Sequence, residues 1–352
     1  MNSTSRIMLG TSFFGKHDMV ANTVGLFCEA LREHGPIVLG LETEESRDDP
    51  KVASLLSAIR GGSPKGSEGY LWDQKCNRAV LKQWPDELPM PFYHNYSYGG
   101  AVNRLLALAR IANCDYLVRV DPGTAPLSGF PEVVDRHVGM ISAGKARVVS
   151  GQYTGRPAVR AHFVLADRAD EYYRFIYDYT GVDPSPEKQV TGGAAFAVAV
   201  SGPPAIPFDG AMVWASDDGF FQASLGQGLA KVLVESRIYR TDFGVTLNLK
   251  QYFCRLAHMV VLHERQRNNA DERAARRIAQ KFLDNLVDFV DPALRQAGEF
   301  KEVEFIDARK ELNTSVVFEG CDNYRELLSN WLQVIEALGD AGRTLGLQCR
   351  IW

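Results

Sequence analysis

The sequence predicts an α/β protein with a mostly parallel sheet. An apolar strand at residues 7–9 is followed by a helix at 22–34 and a second strand at 36–41. This β–α–β order is typical of parallel sheets, because parallel strands need a long crossover connection that a helix supplies. A later buried strand at 116–120 ends on Asp121, directly before a Pro-Gly turn. Ligands of open α/β sheets bind at the carboxyl ends of strands, so Asp121 is a candidate site residue. A turn-capping role for this acid stays open.

Composition excludes several classes of protein. The chain has 352 residues, of which 45% are hydrophobic and 23% charged, as in ordinary globular proteins. A net charge of −4 gives no basic footprint for nucleic acid. No apolar run reaches the roughly 18 residues of a membrane span. The six cysteines form no Cys-x-x-Cys pair, so neither a zinc site nor a disulfide framework is predicted. We therefore expect a reduced, cytoplasmic protein without an integral membrane segment.

The loop after the first strand resembles a phosphate-binding loop but departs from it. Its sequence, Gly-Thr-Ser-Phe-Phe-Gly-Lys-His, ends on His17 where a P-loop has Ser or Thr. We expect a looser contact with a nucleotide, made by Thr11 and Ser12. The second strand runs into Glu42, which is placed to accept hydrogen bonds from a base or ribose. A solvated loop acid is the plain alternative at that position.

The next predicted elements lead to a second candidate binding segment. We predict helices at 52–59 and 70–84 and a third strand at 91–95. A Gly-Gly pair then opens a helix through residue 111, and such helix N-termini favour anions. Asn103 and Arg104 lie on the first turns of this helix. They are candidates for ligand contact, and a role as surface helix residues is equally compatible with the pattern.

The middle of the chain contains a second pair of acids. A helix at 132–143 and a strand at 146–150 precede an aromatic segment at 170–179, where core packing is favoured over an acceptor site. Gly192 and Gly193 open a small-residue strand that ends at residue 200. Asp217 and Asp218 then stand directly before a glycine and two phenylalanines. They form either a carboxylate site or an ordinary helix N-cap and first-turn acid.

A third candidate site is predicted where an apolar run ends on His263. We expect this run to be a strand, with Arg265 and Arg267 beyond it suited to a diphosphate. From residue 270 the chain becomes mainly helical, with helices predicted at 271–290 and 324–338 and short strands at 302–306 and 314–318. No catalytic cluster is evident in this last region.

Taken in order, these sites resemble the GT-A nucleotide-sugar glycosyltransferases. The resemblance is carried by residues 95–124, 189–221 and 260–267 and covers the layout of residues 5–267. It implies a GT-A-like catalytic domain at 1–267, with a nucleotide-sugar half at about 1–125 and an acceptor half at about 126–267. Residues 268–352 would form a mainly helical C-terminal region used for packing or oligomerisation.

The resemblance also implies roles for individual residues. Asp121 and His263 would hold a divalent metal, Mn²⁺ or Mg²⁺, on the donor diphosphate. Asp218, or Asp217, would be the base in an inverting enzyme, whereas a retaining enzyme needs no such base. The predicted donor contacts are Thr11, Ser12, Glu42, Asn103, Arg104, Gly192, Gly193, Arg265 and Arg267. Asp-Pro-Gly replaces the usual Asp-x-Asp here, which puts the metal requirement in question.

The function expected from this resemblance is transfer of a sugar from a nucleotide-diphosphate sugar to an acceptor hydroxyl. A small-molecule acceptor is favoured, and a homodimer is compatible with the apolar stripes of the C-terminal helices. A nucleotidyltransferase on a related fold is one alternative, and a P-loop NTPase with Asp121 as its second acid, which His17 disfavours, is another. A non-catalytic nucleotide-sugar-binding protein is the alternative from outside the enzymes. The missing second acid of Asp-x-Asp keeps that alternative open.

Overall fold

The computed structural model confirms the α/β class and the mostly parallel sheet. It describes residues 5–13, 15, 17–30, 36–89, 98–122, 124–126, 130–154, 164, 166–181, 195–200, 230–240, 249–290, 306–310 and 315–352. The strands are β1 (Ile7–Ser12), β2 (Val38–Glu42), β3 (Glu68–Trp72), β4 (Tyr116–Val120), β5 (Thr124–Pro126), β6 (Val148–Thr154), β7 (Ala195–Ala199) and β8 (Ala230–Arg240). The helices are α1 (His17–Ala30), α2 (Pro50–Gly62), α3 (Gln74–Leu81), α4 (Tyr98–Ile111), α5 (Phe130–Ser142), α6 (Ala169–Thr180), α7 (Leu249–Arg267), α8 (Glu272–Leu286) and α9 (Ser315–Cys349).

The eight strands form one sheet in the order β3-β2-β1-β4-β7-β6-β8-β5. The first four strands in that order are parallel, and β7 runs antiparallel between β4 and β6. Their carboxyl ends therefore meet at one edge of the sheet, which is where ligands bind in such folds.

Two apolar layers cover the parallel half of the sheet. One face packs against α3, α4 and α9, and the other packs against α1, α2 and α5. Strand alternation assigns side chains to these faces, because neighbours along a strand point to opposite sides. Met8 and Leu117 face the α4 side, whereas Leu9 and Val118 face the α1 side.

Two glycines make room for side chains of the neighbouring strands. Gly10 of β1 and Gly40 of β2 are paired in register. A Cβ atom at Gly10 would lie 2.7 Å from Leu117 Cδ1 of β4, and one at Gly40 would lie 2.5 Å from Met8 Sδ of β1. The α4 helix, which carries two of the predicted contact residues, packs over the same strands.

A third apolar cluster is built from α6, α7 and α8. The ring of Phe175 stacks on Phe282 with centroids 5.1 Å apart, and Tyr172 is buried beside them. The aromatic segment at 170–179 is thus mainly core, as favoured from its sequence, although Tyr177 is exposed.

Several sequence predictions on secondary structure are wrong. The segment ending on His263 is not a strand but the last part of α7, because Phe253, Leu256 and Val260 are buried at helical spacing. Its short apolar run from 259 to 262 looked like a strand only when read without the turns before it. Residues 315–318 likewise belong to α9 rather than to a strand.

The third strand also lies elsewhere than predicted. It is β3, whereas residues 61–69 were expected as a loop and 70–84 as a helix. Tyr70 and Trp72 enter one core and Leu71 the other, so the segment has the two-residue period of a strand buried on both faces. The predicted strand at 91–95 lies outside the described residues. Of the predicted strand at 302–306, only residue 306 is described, and it begins a short helical segment.

The C-terminal region packs on the sheet layers through α9. Buried residues of α9 follow a helical stripe against α4 and α3, with Trp331 and Leu338 in the same core as Met8. The boundary at residue 267, the division into donor and acceptor halves and the possible homodimer stay predictions.

The cysteine spacing predicted no disulfide framework, and this prediction is wrong. Cys76 and Cys349 are bonded although 273 residues separate them. A pairing over that distance leaves no local spacing pattern to recognise, which is why the sequence did not reveal it. None of the described helices is long and apolar enough to cross a membrane.

Candidate functional site

Polar side chains gather where β1 and β2 end. The register places Ser12 beside Glu42, and Glu42 beside Trp72 of β3. Ser12 and Glu42 lie on the face covered by α4, since each is two residues beyond a glycine under that helix. Thr11 precedes Ser12 and is assigned to the opposite face.

The central contact of this site is a buried ion pair between a strand and a helix. Arg104 Nε of α4 donates to Glu42 Oε1 at 2.8 Å. The Glu42 side chain is 0% exposed and that of Arg104 is 3% exposed. The predicted contacts Glu42 and Arg104 are therefore brought together, and Asn103 is buried beside them on α4. The interpretation of Asn103 and Arg104 as surface residues is wrong.

Three predicted contact residues carry buried polar atoms without a hydrogen-bond partner. They are Thr11 Oγ1, Ser12 Oγ and Glu42 Oε2. A buried polar atom left unpaired costs about 1–3 kcal/mol, and native structures contain few of them. Ser12 Oγ and Glu42 Oε2 lie on the same face of the sheet at the ends of two neighbouring strands, whereas Thr11 Oγ1 lies on the opposite face.

Glu44 adds a titratable group that the sequence analysis did not single out. Its Oε1 lies 3.9 Å from Arg104 Nη2, too far for a hydrogen bond, and is buried without a partner. Burial raises the pKa of Glu44 to about 7, against the lowering effect of Arg104 and with a further rise from Glu42. Two carboxyl groups thus share the positive charge of one guanidinium. This part of the site therefore favours ligand groups that donate hydrogen bonds and disfavours anions.

The loops after β1 and β2 are tied together by Glu45. Its Oε1 accepts from the Gly15 amide at 2.7 Å, and its Oε2 lies 2.8 Å from His17 Nε2. A P-loop uses such backbone amides to bind phosphate. The Gly15 amide is already engaged with a carboxylate, which further disfavours the P-loop alternative.

Asp121 follows β4 at the same edge of the sheet. The register pairs Gly10 with Arg119, so Asp121 lies two residues further along, level with Ser12. Asp121 Oδ1 accepts from Arg119 Nη2, and the Arg119 side chain is 1% exposed. Asp121 is thus at the predicted strand end, with a cation inside the sheet as its partner. Sequence reasoning missed Arg119, although a charged residue in an apolar strand is a readable signal.

His263 lies on the last turn of α7 against the end of α6. A Cβ at Gly181 would lie 2.7 Å from its Nδ1, and the ring hydrogen-bonds the Thr180 backbone. Burial, followed by the charge of Arg267, lowers the pKa of His263, while Glu264 and the Thr180 bond oppose the shift. The neutral ring favoured by this shift is the form that binds metals.

The two predicted arginines after His263 have different surroundings. Arg265 Nη2 donates to Asp322 of α9, so its guanidinium joins two helices. Arg267 lies near Gly181 at the end of α6. Neither contact involves the ends of β1, β2 or β4.

The remaining predicted site residues lie outside the described residues. These are Gly192, Gly193, Asp217 and Asp218. Within the described ranges no group of three or more His, Cys, Asp or Glu side chains is arranged to hold a metal ion. The described residues alone therefore do not make up a metal site.

Comparison with known proteins gives distant structural likenesses. No protein-family model and no curated protein matches the chain. The structure is similar to glucosyl-3-phosphoglycerate synthase from Mycobacterium tuberculosis, solved with Mn²⁺, uridine-diphosphate-glucose and phosphoglyceric acid. The TM-score is 0.46 at 14% identity, over 75% of this chain and 80% of that one.

Two further solved structures are similar at the same level. Mannosyl-3-phosphoglycerate synthase from Rubrobacter xylanophilus has a TM-score of 0.44 at 15% identity, over 84% of this chain and 76% of that one. TarS 1–349 from S. aureus has a TM-score of 0.41 at 12% identity, over 93% of this chain and 91% of that one. Because these likenesses are distant, the function is argued from the residues of this chain.

Proposed function

We propose that this protein is a glycosyltransferase that uses a nucleotide-diphosphate sugar as donor. The observation that carries the proposal is the pair of buried, unpaired polar atoms on the α4 face at the carboxyl ends of β1 and β2, namely Ser12 Oγ and Glu42 Oε2. This is the edge at which open α/β sheets bind nucleotides. The resemblance found in the sequence supplies the reaction class, and these two atoms support its donor half.

The polar atoms at the ends of β1 and β2 suit the uncharged part of a nucleotide. Glu42 Oε2 is an acceptor for the ribose hydroxyls or for a base N–H group, and Ser12 Oγ is both a donor and an acceptor. The Arg104 bond fixes the Glu42 carboxylate, so the remaining oxygen is held in one place before the ligand arrives. The surplus of carboxyl groups, Glu42 with Glu44, repels phosphate and directs the diphosphate away from β2.

The diphosphate would extend toward Asp121, where a divalent metal is proposed. Asp121 and His263 are the two chain residues offered for this metal, Mn²⁺ or Mg²⁺, which would supply charge neutralisation to the leaving diphosphate. Arg265 and Arg267 are proposed as diphosphate contacts. Arg119 already partners Asp121, so this chain has a fixed cation beside the acid. Part of the neutralisation can therefore come from the protein itself.

The acceptor half of the reaction is proposed for the acids Asp217 and Asp218 with Gly192 and Gly193. Asp218, or Asp217, would take the proton of the acceptor hydroxyl while the acceptor oxygen forms its bond to the anomeric carbon. The bond from that carbon to the diphosphate oxygen breaks in the same step. A small-molecule acceptor, a homodimer and a cytoplasmic location complete the proposal.

A thermal-shift panel tests the donor proposal. The ligands are UDP, GDP, CMP, dTDP and ATP, each with and without Mn²⁺. A ligand that binds the native state raises its melting temperature, so one nucleoside diphosphate should stabilise the protein above the others. No shift with any member of the panel would contradict the proposal. A shift with ATP alone would favour the nucleotidyltransferase alternative.

Substitution separates the roles of the two acid sites. Asp121→Asn should weaken Mn²⁺-dependent donor binding, and Asp218→Asn should preserve donor binding but slow transfer to the acceptor. Unchanged Mn²⁺-dependent binding in both Asp121→Asn and His263→Asn would remove the metal proposal.

A non-catalytic nucleotide-sugar-binding protein is the second candidate function. The observation that favours it is the Arg119–Asp121 ion pair, which occupies the acid where Asp-x-Asp enzymes hold their metal. In that case donor binding is retained and neither transfer nor donor hydrolysis occurs with any acceptor. Measurable turnover that is lost in Asp218→Asn excludes this candidate.

A further inference from the structure

The last residues of the chain lie along the outer edge of β3 and form one isolated antiparallel bridge with it. The Ile351 amide donates to the Gly69 carbonyl at 2.8 Å, and the Gly69 amide donates to the Trp352 carbonyl at 3.3 Å. Arg350 bridges Tyr70 in the antiparallel sense. The Trp352 ring lies over Gly69 and leaves no room for a Cβ atom there. Residues 350–352, called here the edge strand, therefore cover the exposed edge of β3.

A disulfide fixes the start of this edge strand. Cys349 ends α9 directly before it, and Cys76 lies in the first turn of α3 after β3. Both residues are 0% exposed. A segment of three residues held by two backbone hydrogen bonds is only marginally stable on β3 by itself. The disulfide keeps this segment at a high effective concentration beside β3.

Arg47 connects the same segment to the loop that carries Glu44. Its Nε and Nη2 donate to Asp73 Oδ2 and Oδ1 at 2.5 and 2.9 Å. Its Nη1 donates to the Gln348 carbonyl at 3.1 Å. Arg47 is three residues after Glu44, in the loop between β2 and α2. Arg47 thus connects the end of α9 and the residue after β3 to the loop that carries Glu44.

We propose that the Cys76–Cys349 disulfide is a redox latch for the candidate nucleotide site. In the oxidised state it holds the edge strand on β3 and the Gln348 carbonyl on Arg47, which keeps the loop at residues 43–48 in place. In the reduced state the edge strand leaves β3, Arg47 loses one of its anchors, and the loop with Glu44 becomes mobile. Only the effect on ligand affinity rests on the proposed function.

The opening step is an ordinary thiol–disulfide exchange with a dithiol. A dithiol thiolate attacks one sulfur, the Cys76–Cys349 bond breaks, and the second thiol of the dithiol resolves the mixed disulfide. Two electrons and two protons pass to the protein, and the dithiol leaves as a disulfide. Both cysteines are 0% exposed, so the attacking thiolate reaches the bond when residues 349–352 transiently leave β3.

Hydrogen–deuterium exchange on the full chain tests the latch without any ligand. The protein is compared before and after treatment with dithiothreitol, together with Cys349→Ser and with Cys254→Ser as the control. Cys254 forms no disulfide and lies in α7, outside the edge strand. The expected result is that the amides of Gly69 and Ile351 and the peptide at 43–48 exchange about tenfold faster after reduction and in Cys349→Ser, since Gly69 and Ile351 donate the two backbone hydrogen bonds that are lost. Peptides from α5 and α8 should not change, and Cys254→Ser should respond to reduction like the wild type.

Two results would overturn the proposal. Free-thiol labelling that finds Cys76 and Cys349 unpaired before reduction would remove the latch. Faster exchange at 68–72 with an unchanged 43–48 loop would remove the coupling through Arg47. Where a nucleoside diphosphate binds, its affinity should fall on reduction, and an affinity that is equal in both states while the loop exchanges faster would remove the effect on the site.

Discussion

Two buried arginine–carboxylate pairs lie at neighbouring strand ends, and they differ in how completely the carboxylate is satisfied. Asp73, just after β3, accepts two bonds from Arg47 and one from the Cys76 amide at 2.8 Å. These bonds, led by the one from Arg47, lower the pKa of Asp73 despite its burial. Glu42, at the end of β2, accepts a hydrogen bond from Arg104, and its other oxygen is buried and unpaired.

This difference separates a structural pair from a binding pair. Asp73 caps α3 and anchors a loop, so both of its oxygens are used by the protein itself. Glu42 is held by Arg104, and under the proposed function its second oxygen accepts from the nucleotide. Burial and charge alone do not distinguish the two acids, whereas the count of satisfied oxygens does.

The largest effect is expected at the structural pair. Asp73→Ala removes the N-cap of α3 and leaves the Arg47 guanidinium without its carboxylate, so the free energy of unfolding should fall by about 3–4 kcal/mol. Chemical denaturation measures this, with the exposed Asp86→Ala as a matched control that should change it by less than about 0.5 kcal/mol. A loss at Asp73 no larger than that of the control would contradict the structural role.

A somewhat smaller effect is expected at the helix side of the binding pair. Arg104→Gln leaves Glu42 without its cation, and the free energy of unfolding should fall by about 2–3 kcal/mol. Because Arg104 lowers the pKa of Glu44, that pKa should rise above about 7 in the variant. Carboxyl titration by NMR checks the second point, and a Glu44 pKa that stays the same or falls would show that Arg104 does not act on this group.

Glu44 should give the stability a pH dependence of its own. Its pKa is about 7 in the folded protein against an ordinary value of 4.5, so between these pH values the folded state binds one proton more than the unfolded state. Stability contributed by this proton is fully present below pH 4.5 and is lost as the pH rises through 7. The free energy of unfolding of Glu44→Gln minus that of wild type should increase by on the order of 1–3 kcal/mol between pH 4.5 and pH 8.

The buried His137 of α5 acts in the opposite direction, and the comparison of variant and wild type removes it. Burial lowers its pKa to about 4 from 6.5, so its contribution is present above 6.5 and is lost as the pH falls through 4. This contribution is common to both proteins and cancels in the difference. A flat difference between Glu44→Gln and wild type would contradict the Glu44 assignment.

The sequence predicted those features whose pattern lies within a few neighbouring residues. Glu42 and Asp121 follow short apolar runs that stop at a polar residue, and the structure places both at the predicted strand ends. Ser12 was predicted in the loop after the first strand, but β1 continues through it. The pairing of Glu42 with Arg104 joins residues 62 positions apart in the sequence, and no local pattern contains it. The partner of Asp121 was readable as a charge inside β4 but was passed over.

The errors arise where the wider packing overrides a short pattern. The few apolar residues directly before His263 predict a strand. The helical spacing of the buried residues of α7 is visible only when at least two turns of the sequence are compared. The segment of β3 contains a glycine that looks like a loop, yet that glycine is needed where Trp352 covers the sheet edge. The disulfide and the edge strand join positions at opposite ends of the chain, so only the folded structure brings them together.

The most direct measurement is a calorimetric titration of wild type and Glu42→Gln with the nucleoside diphosphate that gives the largest thermal shift. Glutamine keeps the size of the side chain but leaves the buried Arg104 without its carboxylate, so the free energy of unfolding should fall by about 2–3 kcal/mol, and both titrations are run well below the lower melting temperature. Loss of the carboxylate acceptor should weaken binding about tenfold or more, because hydrogen bonds to charged groups are worth roughly 1.5–3 kcal/mol. Equal affinity in the two proteins, with the fold intact, would show that the unpaired Glu42 oxygen is not the nucleotide site.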